Sequence, residues 1–139
     1  AAGCANKVPL HFNHPVKELV WKFGAGVSVD VKEDTALLRL NGHERFSKRG
    51  MGYFSRVQRY QHHSGDDTDK DSRLCAYSFA LQPEEHQPSG TCNFSRIDNA
   101  MLELDGLSTG SGSKCVDVYA MNYNVLRVMS GMGGLAYSN

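Results

Sequence analysis

The sequence predicts an all-β domain of antiparallel strands, and three observations carry that expectation. Apolar and polar residues alternate in short runs, the runs recur with turn signals between them, and no long amphipathic helix separates them. Strands in this order close into a sandwich or a barrel. A parallel sheet would need crossover helices, and the sequence offers none.

The runs can be taken in order. Residues 16–23 alternate, with Leu19, Trp21 and Phe23 expected on the core face and Glu18 and Lys22 on the solvent face. Gly24-Ala25-Gly26 breaks that run, and Val27, Val29 and Val31 suggest a second strand. Ala36, Leu38 and Leu40 form a third, closed by Asn41-Gly42, a hairpin-turn signal. Tyr77, Phe79 and Leu81 alternate with Ser78 and Ala80 before Pro83 and the turn Pro88-Ser89-Gly90. This predicts a hairpin between Gln82 and Thr91, with Cys75 near Asp98 and Cys92 near Leu81.

Ala100, Leu102 and Leu104 make a further strand, followed by a Gly/Ser loop over residues 106–113. Val116, Val118 and Ala120 resume the pattern, and residues 125–129 continue it. Residues 53–61 read as a short helix, with Tyr53, Val57 and Tyr60 on one face. The predicted core is therefore Leu19, Trp21, Leu38, Leu40, Phe79, Leu81, Leu102, Val116 and Val118, with one or two short helices at most.

Bulk properties narrow the function classes. A chain of 139 residues suits one domain with a real core. Fifteen basic residues balance fifteen acidic ones, so no global field draws the chain to nucleic acid or an anionic membrane. No apolar run approaches the roughly 20 residues of a membrane span, and residues 1–9 lack the apolar stretch of a signal peptide. The four cysteines, Cys4, Cys75, Cys92 and Cys115, are widely and irregularly spaced with no C-x-x-C pair. All four are expected as reduced thiols.

Motifs with a chemical look mostly lack their context. Gly106-Leu107-Ser108-Thr109-Gly110 fits the nucleophile-elbow pattern, but no histidine follows Ser108. Gly131-Met132-Gly133-Gly134-Leu135-Ala136 fits a dinucleotide fingerprint without the helix or the later acid that the motif requires. His62-His63 precedes Asp66, Asp67, Asp69 and Asp71, yet the glycine and glutamate of a calcium loop are replaced by Ser72 and Ser78. Arg45, Lys48, Arg49, Arg56 and Arg59 interleave with Phe46, Tyr53, Phe54 and Tyr60, a pattern found in single-strand binders, although the acidic loop beside it opposes that field. Asn93-Phe94-Ser95 is a glycosylation sequon, which matters only in a secretory compartment. Glu84, Glu85 and His86 read as surface. No residue is nominated as catalytic, cofactor-binding or metal-ligating, and no cofactor is expected.

Three stretches carry a family resemblance. Residues 12–21, FNHPVKELVW, resemble a stretch of algal-virus major capsid proteins. Tyr77-Ser78-Phe79-Ala80-Leu81-Gln82-Pro83 with residues 87–100, QPSGTCNFSRIDNA, resembles a signature of the same proteins, and residues 123–139 resemble their C-terminus. The family is that of the major capsid proteins of nucleocytoplasmic large DNA viruses, phycodnavirus- and iridovirus-like.

The resemblance implies two tandem jelly rolls per subunit, with this chain as a single C-terminal jelly-roll β-sandwich over residues 1–139. It would lack the whole N-terminal jelly roll and its own opening strand. The stretch between Trp21 and Ala36 looks shorter than in relatives, and Arg59 stands where they carry proline. By the same resemblance the function is structural. Homotrimers would form pseudo-hexagonal capsomers that contact neighbouring capsomers and minor capsid proteins, near an internal viral membrane that the chain does not span. The expected place is the virion capsid, assembled in the host cytoplasm, with no specific nucleic-acid partner and no enzymatic activity. Two other classes share the architecture. A carbohydrate- or receptor-binding jelly roll would need an exposed aromatic platform, and a cupin-type enzyme a converging histidine/carboxylate metal cluster.

Overall fold

The computed structural model describes residues 2–3, 6–65, 73–109 and 115–137. The strands are β1 Ala2–Gly3, β2 Lys7–Leu10, β3 Pro15–Phe23, β4 Val27–Ser28, β5 Thr35–Leu40, β6 His43–Glu44 and β7 Arg49–Gly50. After a helical stretch come β8 Leu74–Ser78, β9 Cys92–Asn93, β10 Ala100–Asp105, β11 Ser108–Thr109, β12 Val116–Asn122, β13 Leu126–Met129 and β14 Met132–Leu135. All their pairings are antiparallel. One sheet runs β1-β12-β3-β8 with β9 also on β3; the other runs β2-β10-β5-β6 with β7 also on β5.

Alternation builds the core, row by row. On β10, Ala100, Leu102 and Leu104 are buried and the residues between them only partly so. Leu102 lies opposite Val8 on one side and Leu38 on the other, making one apolar row across the second sheet. In the first sheet Trp21 sits between Val118 and Cys75, and Leu19 between Ala120 and Tyr77. Leu19, Trp21, Leu38, Leu102, Val116 and Val118 are buried, whereas Leu40 and Phe79 sit half-buried against that core. Burying one such side chain fully stabilises by roughly 1.5–3 kcal/mol relative to leaving it exposed.

The turn at Asn41-Gly42 forms as its residues require. Both have positive φ, 51° and 79°, and the Asn41 side-chain oxygen accepts from the Asp98 and Asn99 amides. That brings the start of β10 to the end of β5.

Several expectations are corrected. Leu81 is 75 % exposed, not core. β8 starts at Leu74 and ends at Ser78; beyond it the Phe79 and Ala80 amides both donate to the one Lys17 carbonyl of β3, so two residues stand against one and the ladder slips. Alternation stops there, and Ala80 is buried in place of Leu81. Gly90 has a φ of 149°, and a Cβ there would lie 2.5 Å from the Phe79 carbonyl oxygen, so this bend also needs a glycine.

The hairpin expected between residues 82 and 91 does not form either. β8 and β9 both pair with β3, which puts Cys75 opposite Trp21 and Cys92 opposite Val16. Of the expected strand at Val27, Val29 and Val31, only Val27–Ser28 is strand. The Asp30 carboxylate accepts from the Lys32 and Glu33 amides, and the Asp34 carboxylate accepts from the Asp30 amide, folding this segment into a turn. Those amides also hold the Asp30 carboxyl below its ordinary range, led by the bond from Lys32.

The helical stretch is a π-turn, Tyr53–Val57, continued by α1, Gln58–His62. Its buried residues are Phe54, Ser55 and Gln58, so of the expected face Val57 at 41 % and Tyr60 at 83 % are exposed, while Tyr53 packs half-buried against the core. A wide turn shifts the phase of the helix, and simple i, i+4 counting misses that.

The cysteines are not all thiols. Cys115 is disulfide-bonded, Cys75 and Cys92 are thiols, and Cys4 lies outside the described residues. Strand pairing supplies the reason: Gly3 lies opposite Val116, so the start of the chain comes alongside Cys115. Thiol titration under denaturing, non-reducing conditions should therefore find fewer than four groups per chain, and four after reduction. Finding four before reduction would refute the bond.

Candidate functional site

The sequence motifs resolve into ordinary structural roles. Ser108 lies in β11, which pairs with β4 at Ser28, and Gly110 lies outside the described residues. Ser130 and Gly131 take φ values of 51° and 76° to turn β13 into β14, which accounts for the first glycine of the C-terminal pattern, and Gly133 and Gly134 lie in β14. Asp66, Asp67, Asp69, Asp71 and Ser72 lie outside the described residues. Asn93 is exposed, and its side-chain oxygen accepts from the Ser95 amide, capping the turn Phe94–Arg96.

The basic and aromatic residues of the interleaved 45–60 pattern are largely committed to each other or to the core. Lys48 pairs with Asp105, the Arg49 guanidinium lies 4.7 Å from the Tyr53 ring centre, and Arg59 donates to the Ser55 carbonyl. The buried Phe54 packs against Trp21, and the half-buried Phe46 packs against Phe54 and Tyr77, all with tilted rings. Trp21 is 1 % exposed, so it offers no platform for a sugar ring.

Two features were not legible in the sequence. The first is a cluster around His63. Glu18, placed by alternation on the solvent face, is 1 % exposed. Its carboxylate meets His63 Nε2, while His63 Nδ1 lies 3.1 Å from Glu84 Oε1. Ser64 adds its amide and hydroxyl to Glu84, at 3.1 and 2.7 Å. The hydroxyl of Ser64, its amide and then His63 hold the Glu84 carboxyl below the usual range. The two carboxylates lie on opposite ring nitrogens and do not converge on one point. Among the described residues no group of three or more histidine, cysteine or acidic side chains is arranged to hold a metal ion.

The second feature is the hairpin β13–β14, whose strand residues are all exposed. Leu126, Val128, Met129, Met132 and Leu135 are each at least 63 % exposed. Where this hairpin leaves the body, a cavity of about 340 Å³ is lined by His14, Asn93, Tyr123, Asn124 and Tyr137 among others. A two-stranded hairpin with no apolar backing is marginal in water. Its exposed apolar surface is of the kind that marks a contact between proteins.

The described residues thus make a jelly-roll sandwich whose most conspicuous surface is apolar and whose motifs serve turns and packing. The chain belongs to the family of large eukaryotic DNA virus major capsid proteins, whose pattern matches residues 27–134. It is 53% identical to a major capsid protein of Pyramimonas orientalis virus, over 97% of this chain and 39% of that protein. Similarity to the major capsid protein of Chrysochromulina ericina virus is 61% identity over 76% of this chain and 18% of that protein. Among solved structures, a chain of the PBCV-1 virus capsid matches with a TM-score of 0.80 and 35% identity, covering 100% of this chain and 46% of that one. The chain therefore spans less than half the length of these relatives. With the major capsid protein of Paramecium bursaria Chlorella virus 1 the alignment runs over 193 positions against 139 residues here, so that relative carries residues without a counterpart in this chain.

Proposed function

We propose that this chain is the second jelly roll of a double jelly-roll capsid subunit. Three subunits would join in a pseudo-hexagonal capsomer, and capsomers would tile an icosahedral shell assembled in the host cytoplasm. The supporting observation is the match of the whole chain to one part of a PBCV-1 capsid chain at 35% identity. The first jelly roll belongs, on this reading, to the part of the relatives that the match does not span. Function is then packing: alternating strand faces fill the sandwich, and loops and the exposed hairpin meet neighbouring copies and minor capsid proteins. No residue has a catalytic part.

A graft tests this. The matching portion of the Pyramimonas orientalis virus protein is replaced by this chain and the product is examined by native mass spectrometry and electron microscopy. Trimeric capsomers are expected. Soluble, folded monomers from the graft, under conditions where the unmodified relative forms trimers, would reject the reading. Stoichiometric Fe, Mn or Zn in the purified chain would instead favour a cupin-type metalloprotein.

A further inference from the structure

We propose that β14 is a docking edge for a second copy of this chain: two β14 strands pair antiparallel about a two-fold axis at Gly134 and join two hairpins into one sheet. The hairpin's own bonds fix which groups point outward. In an antiparallel pair, bonded and non-bonded residue pairs alternate. The Ala136 amide donates to the Val125 carbonyl at 2.8 Å, so Arg127/Gly134 and Met129/Met132 are the bonded pairs that follow. Val128/Gly133 and Leu126/Leu135 therefore turn their amides and carbonyls away from the facing strand. On β14 the outward groups are those of Gly133 and Leu135, and among the described residues no further strand pairs with them.

Symmetry and charge choose between the two edges. A two-fold pairing of β14 that uses every outward group sets Gly133 against Leu135 of the second copy, each such pair exchanging both hydrogen bonds. Gly134 then faces its own counterpart, and no paired position carries a charge. The same construction on β13 sets Leu126 against Val128 and forces Arg127 against Arg127, at a close non-bonded position where like charges repel. β14 also lacks the lysine, proline or charge that guards a sheet edge.

Gly134 suits the axis. Its φ is not left-handed and a Cβ there would meet nothing within 4 Å, so no contact among the described residues calls for glycine. Glycine inside a strand costs stability and marks a place where another backbone comes close. Facing residues of a non-bonded pair bring their Cα atoms to about 4.5 Å.

The area suffices for a stable pair. The chain exposes 8609 Å², roughly a fifth more than the about 7,100 Å² of a compact monomer of 15.3 kDa. That surplus is larger than the about 800 Å² that a standard interface takes from each partner. Residues 124–137 are all exposed, so cover is gained at the hairpin. A further strand also lifts the hairpin above the marginal stability of two strands in water. The inference rests on the capsid reading for the identity of the partner as another copy. A two-fold contact cannot repeat evenly inside a three-fold trimer, so on that reading it links subunits of neighbouring trimers.

Sedimentation equilibrium and native mass spectrometry of the intact chain test this. The native chain should show a dimer as its first associated species. Gly133→Pro removes an outward amide and no apolar surface, and it leaves the bonds between β13 and β14 in place. Its dimer dissociation constant should rise at least about tenfold, whereas hydrophobic stickiness alone predicts no rise. Gly134→Cys should oxidise to a linked dimer, because facing Cα atoms at the axis lie within disulfide range, and Met129→Cys on β13 should not. A native chain that stays monomeric, Gly133→Pro associating as the native chain does, or Gly134→Cys linking no faster than Met129→Cys would each overturn the edge pairing. Cross-strand NOEs between residues 128 and 133 check that the proline variant keeps its hairpin, and if it does not, the cross-link decides alone. Trimers formed by the graft while these variants behave like the native chain would reject the edge pairing and leave the capsid reading standing.

Discussion

Replacing Trp21 by Ala should lower the unfolding free energy by about 3–5 kcal/mol, the range for deleting a large core aromatic. Trp21 is 1 % exposed, lies between Val118 and Cys75 in the central rows of its sheet, and packs on Phe54 with ring centres 5.3 Å apart. Removing it takes away a ring that joins a strand to the helical stretch, and a cavity is left between two elements that cannot both collapse. For a chain of this size the melting temperature should fall by roughly 10–15 °C. Trp21→Phe sharpens the test. The buried indole Nε1 has no hydrogen-bond partner among the described residues, so Phe keeps most of the packing while removing an unsatisfied donor. Its cost should stay well below that of Trp21→Ala, because less volume is removed. Denaturant titration of both variants checks this, and a loss under about 1 kcal/mol for Trp21→Ala would contradict the core position.

Concentrated solutions of the chain alone should show heterogeneous self-association, without a discrete trimer. The hairpin β13–β14 exposes Leu126, Val128, Met129, Met132 and Leu135, and its outer edges add unpaired backbone groups. A formal net charge of zero removes the repulsion that could keep copies apart. Leu126 lies opposite Leu135, so Leu126→Lys with Leu135→Glu replaces an apolar pair by an opposite-charge pair and preserves the strand pairing. Sedimentation velocity should show the native chain broadening with concentration and the double variant shifting toward monomer. A clean monomer for the native chain over a wide concentration range, or a stable trimer, would show that the exposed hairpin does not drive this association.

Much of the sandwich was legible in the sequence because β10, β12 and most of β3 obey simple alternation, which the two-residue pleat imposes wherever one face is buried. Asn41-Gly42 marked its turn because few residue pairs accept positive φ twice. The family was equally legible, since residues 12–21 and 87–100 resemble capsid-protein stretches directly.

Other features were decided only by the tertiary structure. Leu81 continues the alternation of Tyr77 and Phe79, but the Phe79 and Ala80 amides share the one Lys17 carbonyl of β3, and that slip puts Ala80 inside and Leu81 out. Glu18 reads as a solvent-facing charge, yet it is covered by a histidine 45 residues further along. Cys115 has no nearby partner in sequence, and a strand pairing across more than a hundred residues brings the start of the chain beside it. The common reason is range. Periodicity and turn chemistry act between neighbours along the chain, and the sequence determined those elements by itself. Whether a given face is covered, and by which distant group, depends on contacts that exist only once the two sheets and the helical stretch have packed.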